Sequence, residues 1–203
     1  MMGKDVVNLI VAGVGGQGSI LASHIIADAA VEAGYSARVG ETYGAAMRVG
    51  AVHSHIRIGK DIKSPLIAED EADVLIALEP LEALRVGVKY LSKQSKVLLN
   101  PRPILPADVN FGFAKYPSLD DIYNALEKLG AKVYKVEATK IALEVGNIRT
   151  ANVVMLGALA ALKILPFEEK YLKDSVLRRV PPKTVEVNER AFDAGKEAIK
   201  RQK

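Results

Sequence analysis

Val6-Val7-Asn8-Leu9-Ile10-Val11-Ala12 runs directly into Gly13-Val14-Gly15-Gly16-Gln17-Gly18 and then Ser19. The first seven residues form a short, branched apolar run, as expected of a strand buried on both faces. Gly13, Gly15 and Gly18 have the spacing Gly-x-Gly-x-x-Gly. That spacing allows a tight turn, a close backbone approach and helix N–H groups aimed at an anion. From Ser19 to Ala33, Leu21 and Ile25 share a stripe, with Ala22, Ile26, Ala29 and Ala33 beside it. This is helical spacing, and Gly34 closes it. Strand, glycine turn and helix open a doubly wound sheet. The expected fold class is α/β: a Rossmann-like doubly wound sheet, mostly parallel with a β-hairpin, and a helical C-terminal third.

Tyr35 to Gly40 reads as the second strand and Glu41 to Gly50 as a loop. Ala51 to Ile58 alternates, with Val52, Ser54, Ile56 and Ile58 on one face and His53, His55 and Arg57 on the other. Gly59-Lys60-Asp61 is the expected hairpin turn. A dinucleotide site also wants an acid at the end of the second strand. Glu41 is the candidate, 23 residues beyond Gly18. Gly13, Gly15, Gly16, Gln17, Gly18 and Glu41 are therefore the candidate cofactor-binding residues. The competing reading is a glycine turn that packs helix on strand and binds nothing. Arg48 is the only cation of the 41–50 loop and could grip a carboxylate or phosphate bidentately. His53 and His55 point the same way, but no third ligand is evident, so no metal site is expected. No catalytic constellation is expected either: Ser19 lacks a nucleophile-elbow pattern.

The α/β rhythm continues with a strand at Val74–Leu78, a helix at Pro80–Leu91 and a strand at Lys96–Leu99. Prolines forbid helix from Asn100 to Pro106. Ser118 with Asp121 resembles a capping box and opens a helix that Gly130 stops. Ala131–Val136 is the next strand. Residues from about 139 onward read as helical, with helices at Thr139–Val145, Phe167–Leu177 and Lys183 to the end. Thr150 is expected to cap a nearly all-apolar helix that reaches Leu165. A helix apolar all round is either a core helix or an interface helix. The whole of 1–203 is expected to be one domain.

Composition closes off several classes of function. The 203 residues, 49% hydrophobic, are enough for one sizeable core. With no cysteine, the chain has no disulfide, thiol nucleophile, thiolate zinc site or cysteine-ligated iron–sulfur cluster. The net charge is +4, and Lys196–Lys203 holds four cations against one anion. The rest is close to neutral and aromatics are 5%, so the basic stripe of a nucleic-acid binder is missing. The apolar stretch 151–165 falls short of a membrane span and no signal-type segment opens the chain. A cytoplasmic protein, with neither nucleic acid nor membrane as partner, is the expectation.

Three stretches together carry a family resemblance: Val11-Ala12-Gly13-Val14-Gly15-Gly16-Gln17-Gly18, Glu41-Thr42-Tyr43-Gly44-Ala45-Ala46-Met47-Arg48, and the segment Gly50 to Gly59. They resemble the gamma-type component of 2-oxoacid:ferredoxin oxidoreductases, most of all the indolepyruvate type. Ala72–Ala77, Gly146-Asn147 to Gly157, and Asn188 to Gly195 extend the likeness over nearly the whole chain. The resemblance implies a subunit without a catalytic residue of its own. The complex oxidatively decarboxylates indolepyruvate, or another aryl pyruvate, to an acyl-CoA and reduces ferredoxin. Thiamine diphosphate, magnesium and iron–sulfur clusters are implied in a large partner subunit, and coenzyme A as co-substrate. The glycine loop with Tyr43, Gly44, Arg48, Gly50 and Asn147 would then face a subunit junction or the coenzyme. Val49 stands where the family usually has glycine, and valine does not readily take positive φ. Two readings compete: a free-standing Rossmann nucleotide-binding oxidoreductase, and a non-catalytic assembly module.

Overall fold

The computed structural model describes residues 5–44 and 50–202. Its elements, in chain order, are β1 (Val6–Val14), α1 (Ser19–Glu32), β2 (Ser36–Tyr43), β3 (Ala51–Gly59), β4 (Ala72–Ala77), α2 (Pro80–Tyr90), β5 (Leu91–Leu99), α3 (Ala107–Asn110), α4 (Leu119–Lys128), β6 (Lys132–Lys135), α5 (Ala138–Glu144), α6 (Ala151–Ala161), α7 (Glu169–Arg179) and α8 (Val185–Lys200). The strands form one sheet in the order β2-β3-β1-β4-β5-β6. β1, β4, β5 and β6 are mutually parallel, and β3 is antiparallel to both β1 and β2. The doubly wound, mostly parallel sheet with a hairpin is as expected.

The strands bury side chains on both faces because helices cover both. Leu9 and Val11 of β1 face a core with α1, α6, α7 and α8; Ile10 and Ala12 face a smaller one with α2 and α4. Ser118 caps α4 by accepting the Asp121 N–H at 3.1 Å, as the capping-box pattern predicts. Gly130 takes φ +86° just past that helix.

Several expectations are corrected. β2 does not stop at Gly40: Glu41, Thr42 and Tyr43 pair with Ser54, His53 and Val52, so cross-strand pairing overrides the glycine. The hairpin therefore joins β2 to β3 through residues 44–50, and Gly59-Lys60-Asp61 leads away from it. β5 begins at Leu91, directly after α2, and the short α3 follows the proline loop in a stretch to which the sequence reading assigns no element. α6 ends at Ala161 rather than Leu165, because Lys163 takes φ +53° and its N–H donates to the Ala160 carbonyl at 3.2 Å. Thr150 precedes α6, but its hydroxyl donates to the Asn147 carbonyl at 2.8 Å and caps nothing in the helix.

The apolar helix is a core helix. From Asn152 to Ala161 every residue is buried, enclosed by α8, α5, α1 and α7. Two glycines let α6 and α8 touch backbone to backbone. A Cβ on Gly157 would overlap the Phe192 carbonyl, and one on Gly195 the Val154 carbonyl. Both obstacles are main chain, which cannot rotate away. Gly157→Ala should therefore lower unfolding stability by about 3 kcal/mol or more, read as a fall in the denaturant midpoint. Gly44→Ala, whose methyl would meet nothing within 4 Å, should leave it unchanged within about 0.5 kcal/mol.

Candidate functional site

Open α/β sheets bind ligands beyond the carboxyl ends of their strands, where the strand order reverses. Here that point lies between β1, which leads to the β2 side, and β4, which leads to β5. A hydrogen-bonded seam runs along this edge. Gln17 Oε1 accepts the Val14 N–H at 2.8 Å, and its Nε2 donates to the Leu78 carbonyl at 2.9 Å. Asn100 Nδ2 donates to the same carbonyl at 3.1 Å and to Thr139 Oγ1 at 3.0 Å. Asn100 Oδ1 in turn accepts the Thr139 N–H at 3.2 Å. One chain of side chains thus ties together the residues that follow β1, β4, β5 and β6.

Above the seam lies a cleft of about 430 Å³, lined by Gly16, Gln17, Gly18, Asn100, Arg102 and Arg149 among others. Leu21, Ile104 and Ile148 give it an apolar flank. Arg102 sits between Pro101 and Pro103, and its N–H donates to the Asn100 carbonyl at 2.9 Å. Arg149 is held by its N–H, which donates to Asn147 Oδ1 at 3.1 Å. Both side chains are exposed, and neither forms an ion pair among the described residues. Two exposed cations on tethered backbones, beside a glycine turn and a helix N-terminus, make an anion-seeking surface.

The candidate residues of the glycine loop divide by role. Gly16, at φ +102°, Gln17 and Gly18 line the cleft. Gly18, at φ +79°, also admits Asn152, whose Nδ2 would lie 2.6 Å from an added Cβ. A Cβ on Gly13 would meet Gln17 Oε1 at 2.6 Å, so this glycine makes room for the seam. Gly15 N–H donates to the Gly50 carbonyl at 2.9 Å, which ties the hairpin tip to the loop. Gly15 also faces a second hollow of about 300 Å³ with Ile20 and Val52. Several loop amides are thus occupied within the protein.

Glu41 is placed elsewhere. β3 lies between β1 and β2, so Glu41 is two strand spacings, about 10 Å, from the line of β1. It pairs with His24 of α1 at 2.8 Å. Tyr43, 64% exposed, ends β2 on the same edge as the glycine loop, and Gly44 follows it. Asn147 does not line the cleft; its side chain accepts the Arg149 N–H. Arg48 and Val49 lie outside the described residues. The sequence reading missed Asn100, Arg102, Thr139 and Arg149. Asn100-Pro101-Arg102-Pro103 held the signal: an arginine locked between prolines at a strand's carboxyl end.

His53 and His55 lie with ring centroids 5.4 Å apart and planes tilted by 49°, and Tyr90 meets His55 edge-on at 4.9 Å. His55 is 2% exposed and its Nδ1 accepts the Ile67 N–H at 3.1 Å. Among the described residues no group of three His, Asp or Glu could hold a metal ion. Burial, then the neighbouring His53 and Lys89, push the His55 pKa down to about 4.

Residues 8–198 match the model of the pyruvate ferredoxin/flavodoxin oxidoreductase family, and the chain belongs to that family. It is 43% identical to indolepyruvate oxidoreductase subunit IorB of Thermococcus kodakarensis over 194 residues, 95% of this chain and 96% of that one. The subunit of the same name from Archaeoglobus fulgidus is 44% identical over 188 residues, covering 93% and 92% of the two chains. The crystal structure of a keto/oxoacid ferredoxin oxidoreductase gamma subunit from Geobacter sulfurreducens superposes with a TM-score of 0.71. That chain is 25% identical, and the match covers 96% of this chain and 99% of the other. The gamma-type resemblance read from the sequence is thereby confirmed. No helix of the described residues is long and apolar enough to cross a membrane.

Gln17→Ala should cost about 1–3 kcal/mol in a chemical denaturation experiment, because it strips the buried Val14 N–H of its acceptor. Stability should also depend on pH through His55. The unfolded chain binds the imidazole proton near the ordinary pKa of 6.5, whereas the folded chain resists it down to about 4. The contribution is whole above 6.5 and falls as pH drops toward 4, by at most about 1.4 kcal/mol per pH unit for one group. Thermal melts across this window should show the loss, and His55→Asn should reduce it, leaving the part due to His53, whose pKa burial also lowers.

Proposed function

We propose that the chain is the smaller subunit of an indolepyruvate-type 2-oxoacid:ferredoxin oxidoreductase in the cytoplasm, acting as one gamma-type unit across 1–203. The complex converts an aryl pyruvate and coenzyme A to an acyl-CoA and carbon dioxide, and passes the electrons to ferredoxin. The identity to subunits of that name carries the subtype.

This chain's own residues do not suit the redox groups. Without cysteine it offers no thiolates for an iron–sulfur cluster. Its described acids form no cluster suited to a magnesium ion with a diphosphate. Those groups, with thiamine diphosphate, belong in this reading to the large partner.

Coenzyme A does suit the cleft. When bound, it supplies the thiol that takes up the acyl group. Arg102 and Arg149 would hold its phosphates by charge-assisted hydrogen bonds. Gly16 and Gly18 leave the backbone bare for close approach, and Leu21 and Ile148 offer apolar contact to the rest of the molecule. The observation that supports this reading is the pair of arginines, fixed by their backbones, unneutralised, and beside the glycine turn. The displacement of Glu41 removes the ribose-binding acid that a free-standing dinucleotide enzyme would use.

In the assembled complex, Arg102→Ala and Arg149→Ala should each raise the KM for coenzyme A by about 10–100-fold with kcat unchanged. An unchanged KM in both would overturn the coenzyme-facing assignment. Failure of the chain to co-purify with a thiamine-binding, cysteine-rich partner would overturn the subunit reading.

A further inference from the structure

Beyond the proline-rich loop the chain puts out an aromatic arm. Phe111 is 73% exposed and Phe113 83%, the highest among the large apolar side chains of the described residues, and their rings lie 6.3 Å apart. An unbraced arm of this kind would fold back onto the nearest apolar surface. This one is clamped at both ends by a single buried side chain. Glu79, 1% exposed, accepts the Ile104 N–H at 3.2 Å and the Tyr116 hydroxyl on Oε1. Its Oε2 accepts the Glu82 N–H at 2.9 Å, and the Tyr116 oxygen accepts the Leu81 N–H at 3.1 Å. Between the clamps, the N–H groups of Phe113 and Ala114 both donate to the Asp108 carbonyl, at 2.8 and 3.2 Å. Gly112 takes φ +78° to turn the chain between the two phenylalanines. Burying a carboxyl group is costly unless every oxygen is satisfied. Here the satisfied carboxylate pins the two ends of the segment that carries the phenyl rings.

We propose that this braced arm is a docking knob for the large thiamine-binding subunit, with Phe111 and Phe113 seated in an apolar concavity of that partner. The inference rests on the subunit reading above. Two observations favour that occupant over a second copy of this chain. First, two phenyl side chains offer about 300 Å² of apolar surface. A stable interface takes about 800 Å² from each partner, so arm against arm is too small. As the centre of a larger heterologous interface, two exposed aromatics have the size and character of a hot spot. Second, the arm continues the cleft face. Arg102 and Ile104 line the cleft, and the next residue, Leu105, 43% exposed, accepts at its carbonyl from Asn110 Nδ2 at the base of the arm, at 3.3 Å. A partner that covers the cleft would meet the arm on the same side.

The test is affinity for the purified large subunit, with the wild-type chain, the double variant Phe111→Ser with Phe113→Ser, and Glu79→Gln. The double variant should keep the wild-type melting profile, since both rings are exposed, and raise the Kd by at least about 30-fold. Glu79→Gln keeps the shape but weakens the clamp, and should raise the Kd by a smaller factor. Wild-type affinity in the double variant would overturn the docking knob while leaving the subunit reading intact. Self-association of the isolated chain that the double variant abolishes would assign the arm to a second copy and overturn it too. No binding by the wild-type chain would instead defeat the subunit reading, and the knob with it.

Discussion

The Leu78 carbonyl holds the carboxyl edge of the sheet together. It accepts from Gln17 on one side and from Asn100 on the other, while Leu78 N–H donates to Ala12. A carbonyl at the end of a parallel strand has no ladder partner, and left unpaired in a buried place it would cost about 1–3 kcal/mol. Filling both of its lone pairs with side chains from neighbouring segments satisfies the group and fixes three chain ends relative to one another. The conformation of the glycine turn follows, because Gln17 folds over Gly13 to reach both Val14 and Leu78. The placement of Arg102 follows as well, because its backbone is tied to Asn100.

The same economy of space recurs in the helical layer. α6 has no polar face, so its burial has to come from neighbours on all sides, and α8 supplies the closest contact. Gly157 and Gly195 let the two backbones meet, which replaces side-chain interdigitation by direct main-chain packing. A chain without cysteine has no covalent cross-link to fall back on. Its stability is tied to such close approaches, where a single methyl group has no room.

The fold was largely legible because its strongest signals are periodic. The apolar run of β1, the stripe of α1, the Ser118 cap and the all-apolar α6 each express a local rule that the tertiary structure obeys. The errors fall where pairing partners decide the outcome. Gly40 reads as a strand end, but β3 supplies hydrogen bonds to Glu41 and beyond. The hairpin turn lies before β3 rather than after it, because alternation marks a strand without saying which neighbour it pairs with. In the candidate site, the glycine loop was readable from spacing alone. Asn100, Thr139 and Arg149 were not, since they come from three distant segments that only the sheet order brings together.

That sheet order also changes what the glycine spacing means. In a dinucleotide fold the second strand lies beside the first, and its terminal acid reaches the ribose next to the glycine turn. Here β3 is inserted between them, running the other way, so the acid at that end of β2 turns instead to His24 on α1. The glycines that remain are spent on proximity: Gly13 to Gln17, Gly18 to Asn152, and Gly15 to the hairpin tip. Among the described residues, the two cleft arginines follow β5 and precede α6, on the opposite side of β1 from Glu41. An anion drawn to this edge would therefore sit over β4 and β5, shifted from the place the motif alone would choose.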